Sequence, residues 1–190
     1  MISHIPLKDI TKSDLDTLAE IKEGRHIEYK QALPSDKSEK RDFLADVSAF
    51  ANADGGDILF GVHDKRANGQ STGQPDFVGL SGLNVDQEIL KLQNSIRDGL
   101  EPPLRVEIRE VPGFDKGPIL VVRVPQSWNS PHMIKSTPSF YVRNNNGNNP
   151  LGVQEIREVF LRSETIEKRM REFRDERLGR ILSGDVNFGA

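Results

Sequence analysis

The sequence predicts a mixed α/β domain, α+β in type, with a largely antiparallel central sheet flanked by helices and a long C-terminal helix. Three observations support this fold class. Short apolar or alternating segments, typical of strands, are interleaved with longer segments of helical periodicity. Two strand-like segments, 105–111 and 119–124, are joined by a glycine-containing hairpin at 112–117. The segment 153–182 has helical periodicity that passes into a charged stretch.

The N-terminal half of the sequence alternates between helix and strand signals. Leucine and isoleucine at helical spacing predict a first helix over 11–22, which Gly24 ends. Polar and apolar residues alternate over 26–30, as they do in a half-buried strand. Apolar residues on one face predict a second helix over 38–53, and 58–62 is a uniformly apolar strand.

The following segments include loops as well as a third helix. Polar, glycine-rich residues predict a loop over 65–76. A third helix is predicted over 84–99, with Asn84 as its cap. The segment 140–143 is predicted to be a last short strand, and the asparagine run at 144–149 to be a loop.

Composition indicates a soluble globular protein. The 190 residues are 35% hydrophobic and 29% charged, a profile of folded soluble chains. No apolar run approaches the ~20 residues needed to cross a bilayer, and the N-terminus lacks the features of a signal peptide. There are no cysteines, which excludes disulfides and thiolate metal sites. We therefore expect a cytoplasmic protein that does not contact membranes.

The net charge limits how this protein could bind nucleic acid. The formal net charge is −3, which argues against a broad basic surface that coats DNA or RNA. Any phosphate-binding surface must therefore be local.

Acidic residues around the first strand form a candidate catalytic site. Glu28 and Lys30 point to the same face of that strand, because side chains alternate along a strand. Glu23 lies at the junction before the strand, and Asp64 follows the buried strand 58–62. If the two strands are close in one sheet, the three carboxylates converge, and a divalent cation between them would relieve their repulsion.

The ligand chemistry of such a site favours Mg²⁺ or Mn²⁺, since hard cations prefer oxygen ligands. The ion would activate water for attack on a phosphodiester, and Lys30 would stabilise the charge that develops at phosphorus. The plainer alternative is that Glu28 and Lys30 form a solvated surface pair.

Four basic side chains in the second half are candidates for binding nucleic acid. Arg143 is the strongest, because it ends a strand beside an asparagine-glycine loop and arginine can grip a phosphate with two hydrogen bonds. His132, Lys135 and Arg123 are weaker candidates, and packing within its loop is an equal alternative for His132. Trp128 could stack on a base, although a lone tryptophan beside prolines more often covers the edge of a core.

The segment 50–56 is more typical of structure than of binding. Asn52 is predicted to hold the turn between the second helix and the second strand. Gly55 and Gly56 would accept the positive φ angles of that turn.

Three segments together resemble the signature of the Schlafen AlbA-like domain. They are Glu23–Lys30 (EGRHIEYK), Val47–Gly56 (VSAFANADGG) and Ile58–Asp64 (ILFGVHD). The resemblance extends over about residues 15–162. It implies a mixed α/β domain that acts on nucleic acid. In Schlafen nucleases, two such units form a horseshoe that clasps tRNA or similar folded RNA.

The same resemblance implies site residues. In those nucleases, two glutamates five residues apart and a later aspartate form a metal-dependent site, and Glu23, Glu28 and Asp64 match this pattern. We therefore expect a Mg²⁺- or Mn²⁺-dependent endoribonuclease that acts on structured RNA such as tRNA. The alternative is a non-catalytic DNA- or RNA-binding regulatory module. A single copy of the domain suggests a homodimer.

The predicted organisation has two parts. Residues 1–162 form the nucleic-acid-processing domain, and residues 163–190 form a charged helical extension. We expect the native protein to continue beyond residue 190.

Overall fold

The computed structural model describes residues 2–67, 70–145 and 147–182. Four α-helices are formed by these residues, and two 3₁₀ helices, Ile2–His4 and Leu7–Asp9, precede them. The α-helices are α1 (Lys12–Asp16), α2 (Lys37–Ala51), α3 (Val85–Gly99) and α4 (Val153–Leu182). None of the described helices combines the length and apolar character needed to cross a membrane.

The strands form a central sheet, a second sheet and a separate two-stranded ribbon. They are β1 (Ile27–Lys30), β2 (Gly56–Phe60), β3 (Val62–Ala67), β4 (Gln70–Phe77), β5 (Leu100–Glu101), β6 (Glu107–Phe114), β7 (Gly117–Val124), β8 (Met133–Ile134), β9 (Ser139–Asn144) and β10 (Gly147–Pro150). The central sheet has the order β1-β2-β7-β6 and the second sheet has the order β10-β9-β8-β5. Within the described ranges, β1 and β2 pair in parallel and the other pairs are antiparallel. The predicted fold class is confirmed.

Both faces of the central sheet are buried. Ile58 and Phe60 point into a core formed with α2 and α3, whereas Leu59, between them, points into a second core. The N-terminal segment covers that second core with residues such as Leu15 and Leu18. Consecutive residues of β2 are buried on opposite faces of the sheet. The sequence of this strand is therefore an unbroken apolar run and does not alternate with polar residues.

Helix α2 connects the central sheet to the second sheet. Its N-terminus is capped by Asp36, whose carboxylate accepts a hydrogen bond from the Glu39 N–H at 2.8 Å. At its C-terminus, the Asn52 amide donates to the carbonyls of His132 and Tyr141, at 3.0 and 2.8 Å. The Asn52 side-chain oxygen also accepts the His132 N–H at 2.7 Å. Asn52 therefore holds the second sheet against α2, beyond the local turn predicted for it.

The segment predicted as a loop over 65–76 is part of a β-ribbon instead. Strands β3 and β4 pair antiparallel, and Val62 at the base of the ribbon is buried in the second core. Further out, Asp64, Lys65 and Arg66 are exposed. Among the described residues, backbone pairing and a hydrogen bond from the Thr72 hydroxyl to the Lys65 carbonyl hold this outer part. Its sequence therefore carries no apolar alternation from which a strand could be predicted.

Two other boundaries differ from the sequence prediction. The first helix ends at Asp16 and not near residue 22. Turns take the place of the rest of the predicted helix, and they still direct Leu18 into the core. The asparagine run predicted as a loop contains β10, whose backbone pairs with β9 from Gly147 onward. Helix α4 is continuous across residue 162, where the sequence predicted the end of the first domain. Residues 183–190 of the predicted extension lie outside the described ranges.

Candidate functional site

Strand β1 directs the predicted site residues to one face. Glu28 and Lys30 face helix α2, while Ile27 and Tyr29 pack against the second core on the opposite face. This alternation was predicted from the sequence. However, Glu28 is buried, with only 9% of its surface exposed, so it does not form the solvated pair with Lys30 that was the plainer alternative.

Glu28 belongs to a group of four charges, which we term the charge cluster: the buried Glu28, Asp46 and Arg143 and the half-buried Lys30. Arg143 Nη2 lies 2.5 Å from Glu28 Oε2, and Lys30 Nζ lies 2.7 Å from Glu28 Oε1. Lys30 Nζ also lies 2.9 Å from Asp46 Oδ2. Two carboxylates face two cations, so the cluster is electrically balanced and joins β1, α2 and β9.

The remaining donors of Arg143 are also engaged within the protein. Its Nε donates to the Gly24 carbonyl at 2.9 Å, and Nη2 donates to the Ile27 carbonyl at 3.2 Å. Its Nη1 donates to the Asn148 side-chain oxygen at 3.0 Å, and the guanidinium stacks on the Phe50 ring. No free edge of this arginine is available for the phosphate that the sequence analysis assigned to it.

The pKa values in the charge cluster follow from burial and pairing. Burial by itself would lower the pKa of Lys30, but the Asp46 and Glu28 carboxylates outweigh it and raise the pKa well above its ordinary value. Burial raises the pKa of Asp46, and the neighbouring Lys30 partly offsets this effect. Lys30 is therefore a firmly protonated partner of two carboxylates.

Glu23 and Asp64 lie elsewhere, in an open pocket of about 460 Å³ between the ribbon and β1. His63, Lys22 and Gln31 also line this pocket. Glu23 Oε1 accepts the Tyr29 N–H at 3.1 Å. The pKa of Glu23 is raised, first by burial and second by the negative charge of Glu28.

The arrangement does not fit a metal held by all three predicted carboxylates. Both Glu28 oxygens are already neutralised by Arg143 and Lys30, whereas Glu23 and Asp64 line a different space. In the part of the chain that the structure describes, no three Asp, Glu or His side chains are grouped so that they could hold a metal ion.

Two of the other residues predicted to bind nucleic acid have internal partners. His132 is 1% exposed, with its ring nitrogens 2.7 Å from the Pro102 carbonyl and 2.6 Å from Ser127 Oγ. Arg123 pairs with Asp57 and also donates to main-chain carbonyls of the N-terminal segment. These contacts support structural roles for both residues.

Lys135 is the exposed member of the four predicted nucleic-acid-binding residues. It forms an ion pair of 3.5 Å with Glu101. At this distance and exposure the pair is weak, so the ammonium group is accessible to a phosphate.

Three residues of the site region, Asp46, Lys65 and Arg66, were not predicted from the sequence to contribute to it. Asp46 was overlooked, although a carboxylate inside the apolar run 43–51 indicates a buried charge that needs a partner. Lys65 and Arg66 were assigned to a loop. Both are exposed on the ribbon, and neither side chain forms a hydrogen bond or ion pair within the described ranges.

Comparison with known proteins identifies the family. The family model for the Schlafen AlbA_2 domain matches residues 23–152. No curated protein sequence matches the chain significantly. Among solved structures, the N-terminal domain of a RecG-related protein from Nitrosomonas europaea, named as related to an ATP-dependent DNA helicase, is similar with a TM-score of 0.54 and 26% identity. That similarity covers 73% of this chain and 90% of the neighbour.

A second solved structure has a weaker similarity. The DIP2311 protein from Corynebacterium diphtheriae matches with a TM-score of 0.45 and 17% identity, over 67% of this chain and 25% of its own. The family match covers more than half of the chain and includes β1, α2 and the charge cluster. The chain therefore belongs to the Schlafen AlbA_2 family, and this membership points to a nucleic-acid-related function.

Proposed function

We propose that this domain binds nucleic acid and that the β3–β4 ribbon contacts the sugar–phosphate backbone. The observation that carries the proposal is the pair of exposed cations on the ribbon, Lys65 and Arg66, whose side chains have no partner among the described residues. Side chains without internal partners can give all their donors to phosphates. Binding by these cations would release counterions from the nucleic acid and so would weaken as salt is added.

The shape of the ribbon supports this role. A two-stranded β-ribbon is a narrow, projecting element, and β-ribbons are known elements of nucleic-acid recognition. The base of the ribbon is fixed in the core through Val62 and Phe77, so the outer cations are carried on an anchored element. Lys22, on the wall of the neighbouring pocket, adds a third exposed cation. The exposed carboxylates of Glu23, Asp64 and Asp76 lie in the same region, so the contacts would be made by individual cations and not by a broad basic surface, in keeping with a net charge of −3.

A direct binding measurement tests the proposal. Fluorescence anisotropy with labelled RNA and DNA should show binding, and the logarithm of the association constant should fall linearly with the logarithm of the salt concentration. The double variant Lys65→Ala/Arg66→Ala should bind more weakly, with a salt slope smaller by about two units. The matched control is Lys37→Ala/Lys40→Ala, which removes two exposed cations of α2 and should leave binding nearly unchanged.

Two results would argue against the proposal. Equal affinity and equal salt slope for the ribbon variant and the native protein would remove the ribbon from the interface. No binding to RNA or DNA at low salt would overturn the function itself.

A Mg²⁺- or Mn²⁺-dependent endoribonuclease that acts on structured RNA such as tRNA is the second candidate function. The observation that favours it is that Glu23 and Asp64, two of the three acidic residues that the family resemblance implies, line one pocket beside the ribbon. Cleavage of tRNA with Mn²⁺ should be compared between the native protein, Glu23→Gln and Asp64→Asn. Glu28→Ala is a poor control here, because it leaves Arg143 buried without its carboxylate. Cleavage that is equal in all three proteins, or absent from the native one, would exclude this activity.

The preferred polymer and the oligomeric state are part of the same proposal. We expect RNA to compete better than DNA, and we expect a homodimer that presents two ribbons to one nucleic acid. Competition anisotropy measures the first, and light scattering of the eluting protein measures the second. A protein that elutes as a monomer and still binds nucleic acid would contradict the expected dimer.

A further inference from the structure

Strand β6 forms an open edge of the central sheet. In the order β1-β2-β7-β6 it is the last strand, and among the described residues its strand partner is β7. On the side away from β7, the backbone N–H and C=O groups of residues 105–111 have no hydrogen-bond partner in the part of the chain that the structure describes. An edge with unpaired backbone groups can accept a further strand.

The opposite edge of the sheet is closed by the protein's own groups. On β1, the Ile27 carbonyl accepts the Gly24 N–H at 3.1 Å, and the Tyr29 N–H donates to Glu23 Oε1 at 3.1 Å. Arg143 also donates to the Ile27 carbonyl. Strand addition to this sheet is therefore expected at β6 and not at β1.

The sequence of the open edge permits pairing. Residues 105–111 (RVEIREV) contain no proline, glycine or lysine, which are the residues that commonly block an edge strand. Pro112 and the irregular pairing with β7 come after Val111. The segment before them is regular, so a strand of another molecule could pair along it.

Two opposite charges on one face of β6 lack an ion-pair partner. Glu107 and Arg109 are two positions apart and so point to the same face of the strand. Glu107 is exposed and forms no ion pair or side-chain hydrogen bond among the described residues. Arg109 is half-buried, and its Nη1 donates to the Leu7 carbonyl at 3.0 Å. Its other donors have no partner within the described ranges and could bind a carboxylate.

These charges select one register for pairing between two copies of the chain. Directly opposite residues of an antiparallel pair share a face, so a two-fold axis must place one residue opposite its own copy. Centres on Glu107, Arg109 or Glu110 would each place a charge opposite the same charge, which is unfavourable. A centre on Ile108 instead places Glu107 opposite Arg109 of the second copy, and this opposite-charge pair occurs twice.

We propose that β6 pairs antiparallel with β6 of a second copy about a two-fold axis at Ile108, so that the two central sheets become one. This inference rests on the homodimer included in the proposed function and names its interface. The half-buried Ile108 would contact its own copy on one face, and the two Glu107–Arg109 pairs would form on the other. The interface is small, so the dimer should dissociate on dilution.

A cysteine at the two-fold axis tests the register directly, because the chain contains no cysteine. Directly opposite Cα atoms lie about 4.5–5.5 Å apart, which is within the range that a disulfide spans. Ile108→Cys should therefore form a disulfide-linked dimer under mild oxidation, measured by the initial rate on non-reducing gels. Glu110→Cys is the matched control. In the proposed register it lies opposite Val106 of the second copy, so it should link no faster than random collision allows.

Charge exchange tests the same pairing without cross-linking. Sedimentation velocity over a concentration series should show that Glu107→Arg and Arg109→Glu each weaken dimerisation about tenfold or more. An equal mixture of the two variants should form heterodimers, because both pairs then have opposite charges. Arg109→Glu lacks its bond to Leu7 in the mixture as well, so the recovery would not come from folding. Glu110→Arg makes the same charge change as Glu107→Arg and should dimerise normally.

The outcomes separate this inference from the rest of the proposed function. A dimer that persists in Glu107→Arg, with Ile108→Cys linking no faster than Glu110→Cys, would place the interface elsewhere and leave the homodimer intact. A protein that is monomeric at every concentration would overturn both the interface and the homodimer. Neither result affects nucleic-acid binding, which anisotropy measures separately.

Discussion

Glu28 and Arg143, 115 residues apart in the sequence, form a buried ion pair in which Nη2 and Oε2 are 2.5 Å apart. The pair joins β1 at the edge of the central sheet to β9 of the second sheet. Asp46 and Lys30 complete the charge balance around it. Glu28 therefore has a structural role in this pair, whereas its position in the sequence had predicted a metal ligand.

Replacement of Glu28 should destabilise the fold strongly. Glu28→Ala leaves Arg143 buried without its main carboxylate, and removing one partner of a buried pair costs about 3–5 kcal/mol. Urea denaturation followed by circular dichroism measures the loss. Glu110→Ala, an exposed glutamate of β6, should change stability by less than about 0.5 kcal/mol. Equal unfolding midpoints for the two variants would show that the pair is not important for stability.

Glu23→Gln should behave in the opposite way. The raised pKa of Glu23 means that burial and the charge of Glu28 disfavour its ionised form in the folded protein. A neutral glutamine keeps an acceptor for the Tyr29 N–H, so the variant should be at least as stable as the native protein at neutral pH. The advantage should shrink in acid, where native Glu23 becomes protonated.

Denaturation series of Glu23→Gln and of Glu20→Gln at pH 7 and pH 4 provide the comparison. A clear loss of stability in Glu23→Gln at pH 7 would contradict the explanation.

The buried His132 should make stability sensitive to mild acid. Burial lowers the pKa of His132 below its ordinary value, more than its contact with Pro102 raises it. The unfolded chain therefore binds a proton as the pH falls below about 6.5, while the folded protein does not. The stability that His132 contributes is complete above that pH and is lost as the pH falls through the folded pKa.

The unfolding free energy of the native protein should thus decrease between pH 7 and pH 5 more steeply than that of His132→Asn. If that variant does not fold, the ring of His132 can be titrated by NMR in the native protein. A folded-state pKa at or above 6.5 would refute this prediction.

Asn52→Ala should loosen the junction between α2 and the second sheet. The side chain makes three hydrogen bonds to the main chain of His132 and Tyr141, and its removal leaves these partly buried groups unpaired. A loss on the order of 2 kcal/mol is expected. Asn129→Ala, on the exposed loop, should have little effect. Thermal unfolding of both variants tests this, and equal melting temperatures would contradict it.

The sequence predicted those features that depend on neighbouring residues. The alternation over β1 correctly assigned Glu28 and Lys30 to one face, and the apolar run of β2 correctly indicated a buried strand. The partners of Glu28 could not be predicted in this way, because Arg143 reaches it through the pairing of distant elements. The sequence contains Asp46 in an apolar run, but that signal says only that a partner exists and not which residue it is.

The ribbon and the loop that carries Trp128, whose ring is exposed, illustrate a second limit. Segment 65–76 has no apolar periodicity, since its strands are stabilised by backbone pairing, and Val62 and Phe77 anchor the base of the ribbon in the core. The exposure of Trp128 depends on how Ser127 and His132 fix the loop. The pairing of the ribbon and the exposure of Trp128 both depend on tertiary contacts, which cannot be deduced from composition or residue spacing.

The charge cluster has a consequence for how relatives of this protein are interpreted. Substitution at Glu28, Asp46 or Arg143 would be tolerated mainly when the other positions change in compensation, so the three should co-vary during evolution. A homologue that retains the arginine will retain the glutamate for folding alone, whether or not it cuts RNA. Invariance of that glutamate is therefore weak evidence for nuclease activity, and Glu23 and Asp64 are the more informative positions.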